Sequence, residues 1–137
     1  MSDSDRRQYP RYITDLSAYC YKIHMDGNNE SYLAKIKGCI GNKDGEVIEA
    51  NKVTDISKGG LFLATIAAFC VDTIVVVELF FPEEQDIIST VGVVKWTLEL
   101  KGDHPYSFGL GIQFLYVKKT EWAKLEKYFG QLKPYEI

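Results

Sequence analysis

The sequence predicts an all-β domain, an antiparallel sandwich or closed barrel, with one amphipathic helix at its C-terminal end. Three observations predict it. Short apolar runs, several with alternating polar residues, recur from about position 18 to 117. Short stretches of Gly, Asn, Asp and Ser separate them, which is turn chemistry. Helical periodicity is confined to the segment after position 118, so helices do not alternate with the strands as a parallel sheet would require.

Taken in order, "AYCYKIH" (18–24) reads as the first strand, and "MDGNNES" (25–31) is a turn. "YLAKIKGCI" (32–40) has apolar residues at alternate positions apart from Leu33, and "GNKDG" (41–45) is a second turn. The 28–47 region is therefore expected to be a hairpin or an elaborated loop. "EVIEANKVTDIS" (46–57) runs into "KGG" (58–60), then "LFLATIAAF" (61–69) and "TIVVVELFFP" (73–82) follow. "ISTVGVVKWTLEL" (88–100), the loop "KGDHPYS" (101–107) and "FGLGIQFLYV" (108–117) complete six or seven strand candidates. The helix is expected at about 119–132. Thr120 is its expected N-cap, with Glu121 in the first turn. Trp122, Leu125, Phe129 and Leu132 share one face, and Gly130 and Pro134 end it. A β-barrel carrying this helix is the most economical arrangement: a flexible arm at 1–12 and a single domain at 13–137.

With 137 residues, 46% hydrophobic and 26% charged, the chain has ordinary globular composition. A net charge of −3 and a pI near 5.4 give no overall field toward nucleic acid or an anionic membrane. An apolar signal core is absent from "MSDSDRR", and the apolar runs are too short to span a bilayer, so a cytoplasmic protein is expected. Cys20, Cys39 and Cys70, widely spaced among apolar neighbours, are expected to be buried free thiols. No nucleophile, base or metal set converges: His24 and His104 lack companions at ligand or triad spacing, so neither catalysis nor a metal is expected. Gly109 and Gly111 lack the third glycine of a dinucleotide fingerprint and read as easing a strand bend.

Two stretches stand apart. "DRRQYPRY" (5–12) holds Arg6, Arg7 and Arg11, all the arginine in a chain whose other basic residues are lysines. A guanidinium grips phosphate or a guanine edge through two parallel hydrogen bonds and stacks on flat rings; an ammonium does neither. "TDISKGG" (54–60) places Asp55 and Ser57 two residues apart on a strand end, on one side. A carboxylate and a hydroxyl together suit a ligand edge with donors and acceptors, such as guanine. Gly59 and Gly60 permit close approach of a flat base.

Together, Arg7-Gln8-Tyr9-Pro10-Arg11 and Asp55-Ile56-Ser57-Lys58-Gly59-Gly60 resemble the Arg-x-x-x-Arg and Asp/Asn-x-Ser-x-x-Gly signatures of the PilZ family. "VGVVKW" (91–96) and "GLGIQFLYVKKTEWAKLEKYF" (109–129) extend the resemblance over most of the chain. It implies a six-stranded antiparallel barrel of the split-barrel type, closed by the C-terminal helix, and a receptor for the bacterial second messenger cyclic di-GMP. By position, Arg7 and Arg11 would hold the phosphates and guanine faces, Asp55 and Ser57 would bond the guanine, and Gly60 would hold the turn open. Gly59 and Trp96 are secondary candidates. Arg6, just before the first motif arginine, resembles members that take an intercalated nucleotide pair. The expected action is a switch without catalysis: the arm folds over the barrel when the nucleotide arrives, and the reshaped surface meets a downstream protein partner. No other cofactor, nucleic acid or membrane is expected. The alternative is a PilZ-like interaction module that binds no nucleotide.

Overall fold

The computed structural model describes residues 10–23, 31–40, 47–81 and 86–132. Eight elements are present among them: β1 (Tyr12–Ile23), α1 (Tyr32–Gly38), β2 (Val47–Ile56), β3 (Gly60–Thr65), β4 (Ile74–Phe81), β5 (Asp86–Glu99), β6 (Phe108–Val117) and α2 (Lys119–Phe129). The six strands close into an antiparallel barrel in the order β1-β2-β3-β6-β5-β4, with β4 returning to pair with β1. Closure gives every one of these strands a partner on both sides, which removes the sheet edges an open arrangement would expose.

Alternation sorts each strand into an inner and an outer row. Leu16, Ala18 and Cys20 of β1, Val75, Val77 and Leu79 of β4, and Leu110 and Ile112 of β6 point into one core. Leu125 and Phe129 of α2 join the same core, each side chain contributing roughly 1.5–3 kcal/mol by leaving water. Helix α2 lies across one end of the barrel. Phe129 stacks on Tyr12 at the start of β1 (5.0 Å, 6° between planes), and Tyr128 meets Phe81 at the end of β4. Trp122 packs edge-on to Phe114, and Lys124 pairs with Asp86 at the start of β5 (3.2 Å).

The expected hairpin at 28–47 is corrected: its described part is a helix. Tyr32, Leu33, Ile36, Cys39 and Ile40 fit three- and four-residue spacing as well as they fit alternation. Ser31 decides the matter locally, its hydroxyl accepting from the Ala34 N–H (3.2 Å) as an N-cap. Ile36 and Cys39 then bury against Tyr21, Ile23, Ile74, Val76, Val91 and Val93, a second core on the outside of the wall.

Four smaller expectations also change. The strand expected at 18–24 begins at Tyr12, because the α2 contacts give its first turn of chain something to pack on. The run 61–69 is strand only to Thr65, whose hydroxyl accepts from the Ala67 N–H (3.4 Å) and bends the chain. Helix α2 is capped by Lys118 without a side-chain bond, not by Thr120, which lies inside it. Cys20 and Cys39 are buried, but Cys70 is exposed.

Candidate ligand site on the outer wall

Arg11, the last residue of the first motif, meets the second motif stretch where β1 begins and β2 ends, at the end of the barrel that α2 covers. Tyr12 pairs with Ile56 and Ile13 with Asp55. Arg11, immediately before β1, therefore lies beside the end of β2, and its Nη2 donates to Asp55 Oδ2 at 2.7 Å. Arg6 and Arg7 lie outside the described residues.

A β-bulge turns Asp55 outward. Val53 faces Leu63 in the core and Ile56 faces Leu61, but between them β2 carries Thr54 and Asp55 against the single Phe62 of β3. Strict alternation from Val53 would have sent Asp55 inward; the extra residue sends it out. Ser57 follows the end of the strand. Its N–H donates to the Gly60 carbonyl (2.8 Å), and its hydroxyl accepts from the Gly59 N–H (3.1 Å). The Gly59 carbonyl accepts from the Phe114 N–H (2.9 Å), tying the turn to β6. Neither Gly59 nor Gly60 has positive φ. Gly60 is needed for space: a Cβ there would sit 2.0 Å from the Ile112 carbonyl oxygen.

Trp96 faces outward for the same kind of reason. Ile88, Thr90 and Val94 of β5 are buried on the inner side, so alternation would bury position 96 as well. The register slips between Val94 and Trp96, pairing Val94 with Ile112 but Trp96 with Gly111, and the indole emerges 46% exposed. The Gly109 and Gly111 reading is revised accordingly. A Cβ on Gly111 would lie 2.1 Å from the indole, and one on Gly109 2.2 Å from the Phe62 ring. These glycines seat aromatic rings on the outer wall. Sequence reasoning missed Phe62; the signal was the pair of glycines on a strand, which marks close approach by something bulky.

Across the wall, Asp55 pairs with Phe62, Phe62 with Gly111, and Gly111 with Trp96. One cross-strand row thus carries a cation–carboxylate pair at one end and two aromatic rings at the other. Among the described residues no cluster of His, Cys, Asp or Glu could hold a metal ion, and no helix is long and apolar enough to cross a membrane. Burial pushes the Cys20 thiol from 9.0 up to about 12 and raises that of Cys39.

With this geometry in place, the comparisons with known proteins define the class. The model of the PilZ domain matches residues 5–131, and the chain belongs to the PilZ family. No curated protein matches it. Among solved structures it is similar to the Bacillus subtilis inhibitor of motility MotI/DgrA: 17% identity, TM-score 0.60, covering 90% of this chain and 48% of that one. It is similar to K. pneumonia MrkH in complex with c-di-GMP (22% identity, TM-score 0.59, 90% and 51% covered). The apo state of MrkH gives 20%, 0.58, 89% and 49%. The chain spans about half the length of these proteins, and at such identities the likeness is one of fold.

Proposed function

We propose that the chain is a cyclic di-GMP receptor that signals to a protein partner without catalysis, in the cytoplasm. The observation that carries this reading is the Arg11–Asp55 contact. It joins two motifs 44 residues apart into one outward-facing site with a guanidinium, a carboxylate, a hydroxyl and glycines. In this reading Arg11 and Arg7 hold the phosphates by charge-assisted bonds, and Arg6 sets whether one nucleotide or an intercalated pair is held. Asp55 accepts from the guanine edge and Ser57 bonds beside it, while Gly59 and Gly60 keep the turn slim enough for the ligand to approach. The MrkH complex with c-di-GMP supports the choice of ligand.

Asp55 has to exchange Arg11 for guanine when the ligand arrives. Both side chains of that pair are partly exposed, at 43% and 25%, and such pairs contribute about 0.2–1 kcal/mol, so exchange costs little. A route to the partner is built into the same strand. Tyr12, next to Arg11, stacks on Phe129, and the Thr14 and Tyr128 hydroxyls share a hydrogen bond. Repositioning Arg11 therefore pulls on the contacts that hold α2. Titration calorimetry with cyclic di-GMP is the test. Heat of binding at micromolar protein, lost in Arg7→Ala and in Arg11→Ala, is the expected result; no heat from the unaltered chain would overturn it.

A further inference from the structure

We infer that two copies of the chain associate edge to edge through the last residues of β5, paired antiparallel about a twofold axis at Thr97. The pairing needs no nucleotide and goes beyond the receptor reading above. Closure of the barrel extends along β5 only as far as Val94. The β4–β5 ladder ends with Ile74 opposite Val93. Val94 then donates to the Thr73 carbonyl (3.0 Å) and accepts from the Asp72 N–H (2.7 Å). Beyond that point β5 runs on against β6 to Glu99, with no strand on its other side among the described residues. Thr90 to Val94 are buried, whereas Lys95 to Glu99 are all exposed. Leu100 donates to the Ser107 carbonyl across the hairpin (2.9 Å), so the alternate positions 98 and 96 also turn their backbone groups to β6. Thr97 and Glu99 turn theirs to the open side, and such a row of free donors and acceptors is a template for another strand.

The residues of this edge select the strand it takes. Centred on Thr97, an antiparallel copy sets Lys95 opposite Glu99, Trp96 opposite Leu98 and Thr97 opposite itself. Opposite charges, an aromatic against an aliphatic, and two threonines are each favourable cross-strand pairs. The twofold axis repeats every pair, as an isologous interface requires. Lysine on an edge ordinarily discourages pairing. Here it meets a carboxylate in this register, whereas sliding the copy by two residues would set Lys95 opposite Lys101. Trp96 and Leu98, 46% and 42% exposed, lose solvent together with their counterparts. The bulge at Lys95 limits the pairing to this short stretch, which makes for a weak, reversible dimer. Arg11 and Asp55 lie beyond β6 and β3 from this edge, so the dimer leaves them open.

Sedimentation velocity of the full chain without nucleotide, from roughly 1 μM to 1 mM, covers the range of such an interface. A monomer–dimer equilibrium is expected within it. Thr97→Pro removes the N–H at the axis, and proline is tolerated where a strand turns its N–H outward. A monomer with a little-changed urea midpoint is therefore expected from it. Glu99→Lys and Lys95→Glu each set like charges opposite one another at both ends of the pairing, and each is expected to weaken association roughly tenfold. Combining both substitutions in one chain, or mixing the two single variants, restores opposite charges and is expected to restore the dimer. A merely structural role for either residue would produce no such recovery. A chain still monomeric at about 1 mM would overturn the pairing and leave the edge to an extended segment of another protein. Association unchanged in Thr97→Pro and in both charge variants would overturn it as well.

Discussion

On the β1–β4–β5 side of the barrel the outward residues Tyr21, Ile23, Ile74, Val76, Val91 and Val93 are apolar and buried, with α1 packed over them. On the β2–β3–β6 side the outward residues are Asp55, Phe62 and two glycines, with Ile13 and Trp96 exposed at either flank. Both sides belong to one closed sheet, and both are backed by the same core. They differ in what the outer row is asked to meet. On the covered side the β1–β4 and β4–β5 ladders run without a register shift, and β4 is apolar at every position but Glu78 because both of its faces are buried. The open side carries bulges at Thr54–Asp55 and before Trp96, which give up ladder regularity to aim particular side chains outward. The difference teaches where to look for a ligand: where alternation breaks, not where it holds.

The largest expected effect lies on the covered side. Ile36 is fully buried beneath α1, and Ile36→Asp would put a carboxylate among Tyr21, Ile74 and Val91. A loss on the order of 3 kcal/mol is expected from the lost transfer energy and the cost of burying a polar group, unless α1 lets go of the wall. Ile13→Asn, on the open side, is expected to stay within about 0.5 kcal/mol. Urea midpoints for the two variants measure the contrast directly; equal losses would erase the distinction between the faces.

Next comes Gly60→Ala, on the open side but at a contact with backbone. With the added Cβ 2.0 Å from the Ile112 carbonyl oxygen, β3 and β6 must part locally. A cost of roughly 1–3 kcal/mol is expected, the range for overpacking. Nucleotide affinity should fall too, because Ser57 donates its N–H to Gly60. Paired measurements of midpoint and affinity separate this from Ser57→Ala, which should affect affinity with little change in stability.

These particulars also show what was legible in the sequence. The six barrel strands followed from alternation, the turns at 58–60 and 101–107 from their Gly, Asp and Ser, and α2 from Trp122, Leu125 and Phe129 at helical spacing. The turns expected at 25–31 and 41–45 lie outside the described residues except for Ser31. Arg11 and Asp55 were legible as residue types, because planarity and hydrogen-bonding capacity are properties of the side chain. Their contact was not, since it depends on a register and a bulge that arise only when β1, β2 and β3 pair. Helix α1 was misread because a nine-residue run with apolar residues every two positions also meets a helical period, and only burial against the wall chooses between them. Phe62 was passed over as one apolar residue among "LFLAT", since nothing local says that its strand partner on β6 is a glycine.

The thiols sharpen the comparison at smaller amplitude. Cys70 should react with an aromatic disulfide reagent in the native state, while Cys20 and Cys39 should react only on unfolding. Cys20 adds a pH dependence. Its proton is held more tightly in the folded protein, so its contribution is complete below about 9 and is lost as pH rises toward 12. The slope from this one group is about 1.4 kcal/mol per pH unit within that window. Cys20→Ala should therefore show a flatter decline of stability above pH 9 than the unaltered chain; parallel curves would mean the thiol is hydrated.

A small change in stability is expected at the centre of the site as well. Asp55→Ala removes the 2.7 Å partner of Arg11, yet both groups are partly exposed, and a loss of about 0.2–1 kcal/mol is expected. Affinity for cyclic di-GMP should nevertheless collapse if the proposed function holds, since the carboxylate proposed to meet the guanine edge is gone. Raising salt from 0.1 to 1 M shortens the Debye length from about 10 to 3 Å and should move the unaltered chain's midpoint no more than the substitution does. A loss above about 2 kcal/mol would give the pair another meaning, a structural tie between β1 and β2 too strong to exchange. In that event the open face would be held shut by the very residues assigned to the ligand, and nucleotide would have to bind beside the pair instead of dividing it.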